Sequence, residues 1–149
     1  LFKVPGDAIR GGKILDITTG RYSTNGVEIL IHFLNTGTVT VSAIAEEVKI
    51  FDSSGNLVKT LTSSKERVKP NEKKLLTSFL SFDGIKEGEY KIYAKVNFVS
   101  GSVEKNSTIK ILPYLPPTIP PKPVEFHLWV LILVVVIIII IAYRFWNEE

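Results

Sequence analysis

The chain has 149 residues, a formal net charge of +3, and neither cysteine nor methionine. Without cysteine there is no disulfide framework, no thiolate nucleophile and no Cys-based zinc site. The small basic excess excludes a strongly cationic surface of the nucleic-acid-binding kind.

Residues 1–11 read as an N-terminal extension or inter-domain linker. The first residue is Leu1 and no methionine follows, as expected of a chain whose N-terminus has been removed, by signal-peptide cleavage or by truncation. Residues 13–18 form the first predicted strand. In "GVEILIHFLN", Val27, Ile29, Ile31 and Phe33 fall on one face and Glu28, Leu30, His32 and Leu34 on the other, the period of a half-buried strand. Val48 and Ile50, with Glu46 on the same parity, continue the pattern in "EEVKIFD". "DSSGN" then supplies turn chemistry and "LVKTL" resumes an extended run. "KERVKPNEKK", the densest basic stretch, reads as a solvated loop because Glu66 and Glu72 interrupt it. Within it, Pro70 and Asn71 take the central positions of a type I or type II turn. "KLLTSFLSF" is the next strand, and Tyr90, Ile92, Ala94, Val96 and Phe98 alternate with polar neighbours in the one after. Ser100-Gly101 turns the chain into a last strand that carries Ile109 and Ile111. About seven short strands at this spacing predict an all-β, Greek-key β-sandwich. Gly88 stands two residues before Tyr90, whose hydroxyl can turn back onto the preceding backbone as in the tyrosine corner of such sandwiches.

The succession "LIHFLNTGTV", "VKIFDSSGNLV", "VKPNEKKLL", "IKEGEYKIYAKV" resembles prokaryotic cell-envelope immunoglobulin-like domains of the adhesion-related, CARDB-like type. The resemblance covers residues 12–112. It implies an immunoglobulin-like fold in which Asn35, Gly37, Pro70, Gly88 and Tyr90 have structural roles. The chain departs from the pattern at Asn71, where Gly is usual, and at Ile85, where Leu is usual. Such modules serve as stalks, adhesins and complex subunits alike, so the resemblance implies a fold more than a function. Abundant Ile, Val and Lys with no Cys fit an archaeal or thermophilic source.

Six of the eight prolines lie within residues 113–123. Proline fixes φ and extends its predecessor, so residues 113–125 predict a stiff stand-off linker, about 3.1 Å per residue in length. The same stretch contains a PxxPxK pattern from Pro117 to Lys122, which the spacer role already explains. Residues 126–146 predict one transmembrane helix, followed by a short tail, 147–149. The wholly apolar part is roughly 16 residues, or about 24 Å at about 1.5 Å per residue. The aromatic rings of Trp129, Tyr143 and Trp146 extend it to headgroup level, and Arg144 can snorkel. Its wholly apolar part carries no Asp, Glu, Lys, His, Ser, Thr or Gly, which makes it an anchor and neither pore nor proton relay.

Chemistry-bearing constellations are sparse. His32 and His127 are far apart, Glu46 and Glu47 alternate on a strand, and phosphate loops, catalytic triads and EF-hands are missing. No catalytic, cofactor or metal residue is assigned, and no cofactor is expected. Asn106-Ser107-Thr108 is a candidate N-glycosylation acceptor. The expectation is a non-enzymatic, single-pass cell-membrane protein. Its N-terminal domain lies outside the cytoplasm and its short C-terminal tail inside. The expected partners are the lipid bilayer and other envelope or membrane proteins, or further copies in a homo-oligomer, with no nucleic acid. The alternative is an accessory subunit of a larger membrane enzyme or transporter, capped by the sandwich. A tail-anchored protein with its domain in the cytoplasm is a third arrangement.

Overall fold

The computed structural model describes residues 6–99, 101–115 and 128–147. The chain divides into two compact units, Leu1–Pro116 and Pro117–Glu149. Most of the expected linker, from residue 116 to 125, lies outside the described residues, as do the PxxPxK pattern, Phe126, His127 and Ser100.

The first unit is all-β. Its strands are β1 (Gly12–Ser23), β2 (Gly26–Asn35), β3 (Val41–Phe51), β4 (Leu57–Leu61), β5 (Lys65–Val68), β6 (Lys73–Ser81), β7 (Gly88–Phe98) and β8 (Gly101–Ile111). They form two sheets: β1-β2-β6, and β4-β3-β7-β8 with β5 also paired to β3. Every described pairing is antiparallel. Val27, Ile29, Ile31 and Phe33 of β2 are fully buried, as are Leu76 and Leu80 of β6. They meet Val48, Ile50, Ile92, Ala94 and Val96 of the other sheet in one core cluster. Alternation on β2, β6 and β7 is what lets each strand give one face to this core.

The described strands number eight against the seven expected; β1 runs on past residue 18 to Ser23, and two further differences have a structural cause. β3 begins at Val41, well before Glu46, because its parity switches. Val41, Ala43 and Ala45 are buried, then Val48 and Ile50, with a register shift between Ala45 and Glu47. The bulge turns both Glu46 and Glu47 to solvent, so they do not alternate and Glu46 does not share the face of Val48. Opposite the bulge, the Ala45 amide donates to Ser63 Oγ at 2.8 Å and the Ser63 amide donates to the Ala45 carbonyl at 2.8 Å. Ser78 Oγ donates to the Thr62 carbonyl, so residues 62–64 tie β3 to β6 across the sheets. The second difference is β5, four residues taken from the stretch read as loop. It needs only Val68 on its inner side and pairs the first half of β3, while β4 pairs the second half.

Residues of the expected N-terminal extension are paired as well. The Thr36 amide donates to the Gly11 carbonyl and the Thr38 amide to the Ile9 carbonyl. A Cβ on Gly37 would clash with the Ile9 carbonyl, so only glycine admits this close approach. The second unit contains α1 (Leu128–Trp146), long and apolar enough to cross a membrane. Its side chains from Trp129 to Trp146 are exposed on every side, including Trp129, Tyr143, Arg144 and Trp146.

Candidate functional site

The two outer faces of the sandwich differ in chemistry. On the β1-β2-β6 sheet, register stacks outward side chains in rows. Leu34 stands between Lys13 and Lys73, His32 between Asp16 and Leu75, Leu30 between Thr18 and Thr77, and Glu28 lies beside Phe79. Leu75 and Phe79 are 45% and 51% exposed, although both belong to a regular strand. The missing side chains of two glycines let this surface lie flat. A Cβ on Gly20 would come within 2.9 Å of the Leu30 side chain, and one on Gly26 within 2.5 Å of the Phe79 ring. His32 Nε2 lies 3.0 Å from Thr18 Oγ1, a hydrogen bond that occupies the imidazole within its own sheet. The result is an apolar band of Leu30, Leu34, Leu75 and Phe79, edged by both lysines and carboxylates.

The opposite face, on β3-β7-β8, is polar and internally paired. Lys49 Nζ is 3.0 Å from Glu47 and 5.8 Å from the centre of the Tyr93 ring. Lys95 lies 3.6 Å from Glu104, and Asn97 Nδ2 donates to Glu46 at 2.7 Å. The Lys49 hydrogen bond, then its charge, lowers the Glu47 carboxyl below its ordinary range. Partial desolvation, then the Glu104 hydrogen bond, raises the Tyr93 phenol above its ordinary value. Such exposed pairs contribute little to stability, but they keep this face wetted.

The residues singled out in sequence occupy turns and poles. Asn35 is fully buried. Its amide donates to the Val39 and Val68 carbonyls at 2.8 and 2.9 Å, and its carbonyl oxygen accepts from the Gly37 amide at 2.9 Å. Pro70 precedes Asn71, which has φ +60°, and the Glu72 amide closes the turn onto the Lys69 carbonyl. That is the geometry of a type II turn. The Tyr90 hydroxyl donates to the Lys86 carbonyl at 2.9 Å and accepts from the Lys86 amide at 3.2 Å, across a turn containing Gly88 at φ +146°. Tyr22 has the corresponding position at the exit of the domain: its hydroxyl donates to the Lys110 carbonyl and accepts from the Leu112 amide. Sequence reasoning passed over Tyr22. At Asp52 the hairpin closes through the Asn56 side chain and backbone, which together lower the Asp52 carboxyl below its usual range. Asn106 is exposed on β8, opposite Tyr93. No cluster of three or more His, Cys, Asp or Glu suited to a metal occurs among the described residues.

Leu75 and Phe79, the most exposed apolar groups of the candidate face, were not singled out in sequence. Their signal is present, since "KLLTSFLSF" places apolar residues on both parities of a strand.

No family model and no curated protein matches the chain. Among solved structures, it is similar to DesR, a β-glucosidase from Streptomyces venezuelae, with 14% identity and a TM-score of 0.47 over 69% of this chain and 15% of that one. A structural-genomics target, SoR45, gives 13% identity and a TM-score of 0.39, covering 81% and 95% of the two chains. The GAE domain of yeast GGA1 gives 16% and 0.27, covering 65% and 88%. The chain thus spans only a small part of the glucosidase. Likenesses at this level carry no argument about activity.

Proposed function

We propose that the chain is a non-enzymatic, single-pass membrane protein that presents an immunoglobulin-like module outside the cytoplasm, where its β1-β2-β6 face binds another protein. The observation that carries this reading is the contrast between the two faces. The apolar band of Leu30, Leu34, Leu75 and Phe79 opposes a face on which Lys49 pairs with Glu47 and Lys95 with Glu104. Exposed apolar side chains interspersed with and rimmed by polar ones are the composition of a binding surface. The rim selects the class of partner. Lys13 and Lys73 at one end, with Asp16 and Glu28 elsewhere on the same face, suit a protein surface of mixed charge. An anionic bilayer or a nucleic acid calls for cations alone.

The immunoglobulin-like, adhesion-related reading draws support from the order β1-β2-β6 against β4-β3-β7-β8 and from the Tyr90 hydroxyl on the Lys86 backbone. The anchor reading draws on α1, which has the length and composition of a membrane span. Its short tail would then lie in the cytoplasm.

The test is a double variant of the full chain, Leu75→Glu with Phe79→Glu, compared with Lys49→Glu with Lys91→Glu on the other face. Both are made in the source cell and extracted from its membranes in mild detergent. The expected result is that the wild type and the Lys49/Lys91 variant migrate in native gels as a complex larger than the chain, and the Leu75/Phe79 variant does not. All three should keep the same thermal midpoint. A complex that survives the Leu75/Phe79 change contradicts the assigned face. A complex the size of a larger enzyme or transporter would identify the chain as an accessory subunit.

A further inference from the structure

Asn106-Ser107-Thr108 lies in β8, and both Asn106 and Thr108 are exposed on the outer, polar face. Two observations single out this place. First, β8 is the terminal strand of its sheet in the order β4-β3-β7-β8, so it is held by one ladder, and β1 of the other sheet is tied to its end through the Tyr22 hydroxyl and to its inner side through Lys105. Second, Asn106 opposes Tyr93 in register, and Thr108 opposes Lys91, which in turn opposes Phe51 of β3. Asn106 and Thr108 line a shallow concavity together with Phe51, Gly55 and Lys91, with Ile92 and Ser107 also in its lining. A Cβ added at Gly55 would meet open space. The acceptor therefore opens onto a half-buried aromatic ring and a hollow with polar and apolar walls. A pyranose has the same two characters, with C–H groups on its faces and hydroxyls at its edge.

We propose that Asn106 carries an N-linked glycan whose first sugar lies beside Tyr93 and towards Phe51, so that the polar face of the sandwich is covered and the apolar face is left for the protein partner. This rests on the extracytoplasmic reading above. The donor is a sugar linked to a polyprenyl phosphate or pyrophosphate, and the catalyst is a membrane oligosaccharyltransferase. Asn106 Nδ2 attacks the anomeric carbon and forms the N–C bond. The bond between that carbon and the phosphate oxygen breaks, and its electron pair leaves with the phosphate. One amide proton passes to a base of the transferase. No oxidation or reduction is involved. The Thr108 hydroxyl, two residues on and about 7 Å along the same face of the strand, is the second element that the transferase reads. Because β8 is an edge strand, it can lift from the sheet locally without breaking a second ladder.

The test uses the full chain from membranes of its source cell. Cleavage after Lys105 and Lys110 releases the peptide "NSTIK", whose mass reports the glycan directly. The expected result is a glycan on this peptide in the wild type and an unmodified peptide in Thr108→Ala, with Asn106→Gln giving chain of unmodified mass. The Tyr93 ring proton resonances of the glycosylated protein should also shift when the glycan is removed enzymatically. Two controls separate this inference from the topology on which it rests. Asp52→Asn generates a second acceptor sequence in the exposed β3–β4 hairpin, and protease is added to sealed cells. If protease digests the domain, or the hairpin acceptor is modified, while Asn106 is bare, the glycan proposal fails and the topology stands. If protease spares the domain and neither position is modified, both fail. A glycan on Asn106 that leaves the Tyr93 resonances unmoved overturns the proposed packing of the sugar.

Discussion

Asn71 is the only non-glycine residue with positive φ among the described residues, at +60°. The chain before it explains the strain. Pro70 fixes the first central position of the turn and pushes the second into the left-handed region, where Asn is tolerated better than any residue except Gly. The turn is tied down from both sides, since the Asn71 amide donates to the Asn35 carbonyl and the Lys69 amide to the Glu72 carboxylate at 2.8 Å. The expected outcome is that Asn71→Gly leaves the denaturation midpoint unchanged or raises it. Asn71→Val, β-branched, should lower stability by about 1–2 kcal/mol, the scale of left-handed strain. Chemical denaturation of the domain checks both. A Val variant as stable as the Gly variant would show that the turn relaxes out of the left-handed region. Pro70-Asn71 was legible as a turn because both residues act locally. The part of Asn35 was less so: its side chain closes contacts to Val39 and to Val68, and only folding brings Val68 near.

Among the elements, legibility followed alternation. β2 reads directly from its sequence because four large apolar side chains share one parity. β3 does not, because its first half is built on small Ala43 and Ala45, and the bulge then reverses the parity that periodicity relies on. β5 is nearly invisible in sequence, since one buried Val68 suffices for a strand whose pairing is supplied by β3. The bulge itself depends on a residue 18 positions away, Ser63, which is buried and accepts the Ala45 amide. Ser63→Ala should therefore destabilise the domain by about 1–3 kcal/mol, the cost of leaving a buried amide unpaired. Ser63→Thr should recover part of the loss. Thermal or denaturant unfolding decides, and an Ala variant equal to wild type would mean that the bulge is satisfied without this hydroxyl. The candidate face follows the same logic. Leu30 and Leu34 can be seen on the outer side of β2 from sequence, but Leu75 and Phe79 join them only through a pairing register that no local signal encodes.

At the scale of the whole molecule, a sandwich with an apolar band on one outer face and a charged outer face opposite, and a helix fit to cross a membrane, make up the described chain. The all-β body and the apolar helix were both legible, because each is set by repeated local pattern. The proposed partner face was not, because it is assembled from strands far apart in the chain. We propose the β1-β2-β6 face as the seat of a protein partner. The most direct measurement places a photo-crosslinking amino acid at Phe79, and separately at Lys91 on the charged face, in the full chain within intact source-cell membranes. The expected result is one discrete protein adduct from position 79, lost when Leu75→Glu is added, and none from position 91. Adducts from 91 alone, or equal and diffuse adducts from both positions, would contradict it.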